Sequence, residues 1–203
     1  MKKQPNPYSK LLLIAGLLCM TLTACKKDND DHPVIPSEEI ADSDNLGIPS
    51  EISIPFNFPK GNTRVATFFA VGVQKYKAQV KAGSNPVRYE WVFVAPQADL
   101  YDTTNKKVGT HSAGPTWQLS VNDSIYGQAY DPPKTSFAGN NNIDWLWLKP
   151  KDGKTPTGIF AEVDYIQRID TEGGTAPTTP PKKATDVAEV GYTAIYRFTK
   201  INN

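Results

Sequence analysis

Large apolar side chains in the second half of the chain recur mainly at every second position, the period of a strand with one buried face. This alternation occupies residues 87–93, 159–165 and 190–198, whereas residues 65–76 are apolar on both faces, as in a central strand. No apolar repeat of helical period extends beyond a couple of turns. We therefore predict an all-β fold, either an antiparallel β-sandwich or a partly open barrel of about 7–9 strands with long loops.

The N-terminus has the pattern of a secretory signal. Three lysines precede the apolar stretch 11–22, which ends in Leu22-Thr23-Ala24-Cys25. This ending resembles a bacterial lipobox, in which the Cys thiol receives the lipid. We predict that residues 1–24 are a lipoprotein signal peptide and that Cys25 is lipidated, with a soluble secreted protein cut nearby as the alternative. The expected location is the outer membrane, on either the periplasmic or the cell-surface side.

Residues 25–47 are polar and acidic and contain almost no large apolar side chains. Such a segment buries too little surface to fold by itself, so we predict a disordered acidic tether. Charged residues just after Cys25 resemble the surface-export signals of Bacteroidetes lipoproteins. The remaining residues, 48–203, are predicted to form a single all-β domain.

Composition excludes several classes of function. The 22 Lys and Arg nearly balance the 21 Asp and Glu, which argues against a nucleic-acid partner. The two cysteines, Cys19 and Cys25, both lie in the N-terminal segment, so the predicted domain has no disulfide. It also has a single histidine and no Gly-x-Gly-x-x-Gly motif, so we expect no metal, no dinucleotide and no other cofactor.

Candidate functional residues centre on His111, which lies in a Gly- and Pro-rich stretch, 109–117. A histidine there could be a general base or could simply bond a carbonyl group. Two glutamines occupy strands that otherwise face the core, and buried amides need hydrogen-bond partners. We predict one pocket, with His111 at least partly exposed, lined by Gln74, His111, Trp117, Trp145, Gln167 and Arg168.

Several short motifs occur in a characteristic order. They are Gly72-Val73-Gln74-Lys75-Tyr76, Trp91-Val92-Phe93, Gly109 to Trp117, Trp145-Leu146-Trp147-Leu148 and Tyr165-Ile166-Gln167-Arg168. Together they resemble the bacterial and fungal domain-of-unknown-function family 3455 over roughly residues 48–200. The resemblance implies no activity, because the family has none established.

This chain departs from the family pattern at two places. Members often carry one Cys after the Gly-Val-Gln-x-Tyr strand and another after the Gly-Gly-x-Ala-Pro loop, where this chain has Lys77-Ala78 and Pro180-Pro181. Their joint absence fits the loss of one disulfide. Asp144 stands where the family has Pro.

Two functions remain open at this point. The first is an envelope-anchored, non-catalytic module that binds a ligand or a partner, with a glycan or another envelope protein as candidates. The second is a hydrolase-like enzyme that uses His111 with a nearby carboxylate.

Overall fold

A computed structural model of the chain describes residues 34–54 and 61–202. The helix α1 (Pro36–Ser43) and a short 3-10 helix (Ser50–Ile52) precede the strands, and a second 3-10 helix (Gly158–Phe160) follows the sixth strand. The strands are β1 (Asn62–Val80), β2 (Tyr89–Tyr101), β3 (Lys107–Ser112), β4 (Thr116–Ser120), β5 (Asp123–Ser136), β6 (Trp145–Pro150), β7 (Tyr165–Gly173) and β8 (Val187–Ile201).

The eight strands form one antiparallel barrel in which each strand pairs with the next along the chain. It closes because β8 pairs with β1 along most of both strands, from Asn62 opposite Ile201 to Lys77 opposite Val187. The prediction of an all-β antiparallel fold is confirmed. Of the two predicted architectures, the described residues form the barrel, and its sheet is closed rather than partly open.

Alternation along the strands separates two apolar clusters on the two faces of this sheet. Phe68, Leu148 and Phe198 belong to the cluster inside the barrel. Their sequence neighbours Phe69 and Trp147 belong to the cluster on the outer face. A strand of period two places consecutive side chains on opposite faces, so β1 and β6 contribute to both clusters.

The segment before β1 covers part of the outer face. Ile40 of α1 and Ile52 of the first 3-10 helix are buried in the outer cluster. Arg197 fixes this segment, because its Nη2 donates to the backbone oxygen of Ser43. The prediction of a disordered tether is therefore wrong for residues 36–43, because packing of Ile40 on the outer apolar cluster stabilises a helix that would not form in isolation. The predicted signal peptide, Cys25 and residues 25–33 lie outside the described residues.

One end of the barrel is filled by the second 3-10 helix, which stands where the alternation predicted a strand. Gly158 has a φ of +59°, and the Ile159 amide donates to Asp123 Oδ1 over 3.1 Å. This turn inserts Phe160, which is fully buried with its ring centroid 4.8 Å from that of Phe198. The prediction of a strand at residues 159–163 is therefore wrong: Phe160 and Val163 are buried there, whereas Ile159 is 47% exposed. In the described part of the chain, no helix has the length and apolarity needed to span a membrane.

Candidate functional site

The opposite end of the barrel, which carries the β1–β2, β3–β4, β5–β6 and β7–β8 connections, contains a cavity of about 340 Å³. It is open to solvent and lies above the inner apolar cluster, with Trp117 and Leu148 at its floor. Most of its wall is apolar. Its polar side chains, among the described residues, are Gln74, His111, Arg168 and Tyr196. Three of these four were predicted from the sequence to share one pocket.

His111 lies on β3 in the aromatic floor of this cavity. Its ring stacks on Trp117 at 4.5 Å between centroids with 17° between planes, and Tyr196 contacts it at 4.8 Å. Its Nδ1 lies 2.9 Å from the carbonyl oxygen of Thr116. A carbonyl only accepts hydrogen bonds, so Nδ1 carries the proton and Nε2 carries the lone pair.

The prediction that His111 is at least partly exposed is wrong, because only 3% of the residue is accessible. Burial lowers the pKa of His111 from 6.5 to about 3; the hydrogen bond to Thr116 opposes this change, and the Arg168 charge adds to it. The side chain is therefore neutral at physiological pH. A base with so low a pKa is poorly matched to proton abstraction near neutrality.

Gln74 lies on β1 with only 2% of its surface exposed. Its amide Nε2 is buried and has no hydrogen-bond partner among the described residues. A buried amide without a partner costs free energy that a hydrogen bond would recover. Its position in the cavity wall makes this donor available to a bound molecule.

Arg168 lies on β7 at the edge of the same cavity. Its Nε and Nη2 donate to the backbone oxygen of Asp144, at 3.1 and 2.6 Å. No carboxylate forms an ion pair with Arg168 within the described ranges. The guanidinium therefore brings a positive charge without a counter-ion to an apolar cavity.

Tyr196 and Tyr192 were missed as site residues by the sequence reasoning. Burial raises the pKa of both hydroxyls. The Tyr196 hydroxyl interacts with that of Tyr192 and with Arg168, but it forms no hydrogen bond of normal geometry with any described residue. The signal was available, because both tyrosines belong to the apolar face of the alternation in residues 190–198.

Gln167 and Trp145 lie on the outer face, so the prediction that they line the same pocket is wrong. Gln167 Nε2 donates to the Ile52 backbone oxygen over 2.7 Å, which ties β7 to the N-terminal segment. Trp145 packs against the outer apolar cluster. The error has a simple cause: Gln167 follows Ile166, which faces the interior, so it must face outward.

The described lining of the cavity contains no Asp, Glu, Ser or Cys. Candidate carboxylates are engaged elsewhere: Glu162 pairs with Lys200, and Asp164 accepts from the Ile201 amide. The described residues also include no cluster of three or more potential metal ligands. The cavity thus combines hydrogen-bond donors at one edge with an aromatic floor.

Comparison with known families agrees with the motif analysis. The family model described as "Protein of unknown function (DUF3455)" matches residues 59–200, which comprise all eight strands except Ile201, the last residue of β8. No curated protein and no solved structure matches the chain. The chain belongs to the DUF3455 family of proteins of unknown function.

Proposed function

We propose that this protein is a non-catalytic binding module that takes a small, largely apolar molecule into the open end of its barrel. The observation that carries the proposal is the cavity of about 340 Å³, which has apolar walls and a few converging polar groups. Ligand sites in proteins commonly have this size and composition. The apolar lining favours a ligand with an apolar body over a glycan.

The hydrolase alternative is less well supported. It requires a carboxylate next to His111, and the described cavity lining contains none. The low pKa of His111 also leaves it a weak base. His111 instead packs between Trp117, on which it stacks, and Tyr196, and this packing gives it a role in shaping the floor of the cavity.

A fluorescent apolar probe tests the binding proposal. N-phenyl-1-naphthylamine should gain fluorescence with the wild-type protein and saturate as one site. Ala129 lines the cavity yet is exposed, so Ala129→Trp should fill the entrance at little cost in stability. We expect this variant to weaken probe binding at least about 10-fold, since the site loses most of its volume.

The matched control is Val71→Trp, which places the same side chain at a position that is 42% exposed and outside the cavity lining. It should leave probe binding unchanged. Equal affinities for wild type and Ala129→Trp would show that the probe binds elsewhere and would contradict the proposal.

The proposal places this module at a bacterial outer membrane through a lipid on Cys25, on the evidence of the lipobox pattern at Leu22-Thr23-Ala24-Cys25. In cells, Cys25→Ala should move the protein from the membrane fraction to the soluble fraction. Cys19→Ala is the control, because that residue lies within the apolar stretch of the signal. Unchanged membrane partition of Cys25→Ala would contradict the anchor, and metabolic labelling with a fatty acid would confirm it.

A further inference from the structure

We infer that the polar edge of the cavity binds the carboxylate group of an apolar molecule, with Arg168 as its charge partner and Gln74 as a second donor. The inference rests on the proposed binding function and names the ligand class. Its elements are an uncompensated cation, an unused buried donor and the near absence of competing acceptors.

The charge of Arg168 is the first element. Arg168 is partly exposed, and an anion beside its guanidinium would supply the counter-ion that no described carboxylate provides. Only the Asp144 backbone oxygen bonds Arg168 with normal geometry among the described residues, through Nε and Nη2. The two bonds hold the guanidinium in place and leave Nη1 for another acceptor. Arginine is well suited to carboxylates because its planar N–H groups match their geometry.

Gln74 supplies the second element. Its Nε2 is buried, lacks a partner in the described chain, and belongs to the same cavity wall as Arg168. The Tyr196 hydroxyl, which interacts with Arg168, is a further potential donor. Donors therefore converge from β1, β7 and β8, and a ligand that satisfies them together must present acceptor oxygens.

The surroundings of these donors define the rest of the ligand. A second cavity of about 430 Å³ adjoins the first, and both are lined by Gln74, Phe93, Leu146 and Arg168. The donors thus stand where the two cavities meet, with apolar surface on either side. Asp144 also lines the second cavity, and its negative charge repels a dianion such as a phosphate about twice as strongly as a monoanion at the same distance. A monoanionic carboxylate with an aliphatic or aromatic body fits both features.

Displacement of N-phenyl-1-naphthylamine by decanoate and by decan-1-ol tests the inference in the wild-type protein. The two molecules have the same chain and differ in the head group. We expect decanoate to displace the probe at a concentration about 10- to 100-fold lower than decanol, as a charge-assisted hydrogen bond would give. Displacement of the probe by decanol at a concentration equal to or lower than that of decanoate would overturn the inference.

Two variants assign the preference to the named residues. Arg168→Gln should lower the affinity for decanoate about 10- to 100-fold and leave the affinity for decanol within about 3-fold of the wild-type value. Gln74→Leu should lower the affinity for decanoate about 3- to 10-fold. The control, Arg88→Gln, removes an exposed Arg outside the cavity lining and should change the affinity for neither ligand. Thermal melts verify that each variant is folded.

The outcomes separate the two proposals. If the probe binds and Ala129→Trp blocks it, but decanoate shows no preference or its preference survives Arg168→Gln, the carboxylate inference fails and the binding module stands. If Ala129→Trp leaves probe binding intact, the proposed function fails and the inference fails with it.

Discussion

Replacing Trp117 with Ala is expected to lower the free energy of unfolding by about 3–5 kcal/mol, the range for deleting a fully buried large aromatic residue. Trp117 has no exposed surface and contacts Tyr196 at 5.1 Å and Phe198 at 5.6 Å between ring centroids. Gly127 on the neighbouring strand leaves the space for its ring, since a Cβ there would lie 2.9 Å from Trp117. Urea unfolding followed by circular dichroism measures the loss.

Trp145→Ala is the matched control, because this tryptophan is only half-buried and lies on the outer face. Trp145→Ala should lower the free energy of unfolding by about 1–2 kcal/mol, as expected for the truncation of a partly buried side chain. Similar losses for the two variants would contradict the assignment of Trp117 to the centre of the inner core.

Acidification from pH 7 to pH 5 is expected to destabilise the protein by about 2 kcal/mol through His111 alone. The pKa of His111 is about 3 in the folded chain, whereas the ordinary value of 6.5 applies to the unfolded chain. Between these values the unfolded chain binds the additional proton, so lowering the pH favours unfolding. The stabilisation is complete above pH 6.5 and is lost progressively as the pH falls toward 3.

His111→Gln isolates this effect, because an amide cannot titrate in this range and can still donate to the Thr116 carbonyl. The variant will be less stable at pH 7, since it loses the stack on Trp117. The diagnostic quantity is the slope of unfolding free energy against pH, which should be smaller for the variant by about 1 kcal/mol per pH unit near pH 5.5. The other titrating groups are common to both proteins and cancel in the comparison. Parallel pH profiles would show that His111 is not buried as a neutral side chain.

The strands were predictable where large apolar side chains recur at every second position. In β8, the alternation from Val190 to Phe198 indicated a strand and also identified Tyr192 and Tyr196 as inward-facing. The same alternation misled at residues 159–163, where a 3-10 turn starting at Gly158 buries Phe160 and Val163. Period-two spacing did not identify the buried side chains there, because Ile159 is exposed and Phe160 is buried, and the turn is held by Asp123, 36 positions earlier in the chain.

The residues of the candidate site were likewise predictable only in part from the sequence. Gly and Pro around His111 correctly marked a shaped hairpin, which joins β3 to β4, and Gln74 and Gln167 were selected as polar groups needing partners. Whether each of these side chains has a hydrogen-bond partner depends on which segment covers the face of the sheet on which it lies. Gln167 bonds to Ile52, which is 115 positions earlier in the chain, whereas Gln74 faces the cavity and its side-chain Nε2 has no hydrogen-bond partner among the described residues.

The sequence by itself determined the class of fold, because strand periodicity and turn residues act locally and repeat along the chain. It also determined the family and the polar residues worth examining. Only the tertiary structure decided that the sheet closes, that α1 packs on its outer face, and that Arg168 and Gln74 meet at one cavity. Closure depends on β1 pairing with β8, over a hundred residues apart, and on which neighbours fill the interior. These are long-range packing choices, in which many weak contacts must be satisfied together, and no local pattern encodes them.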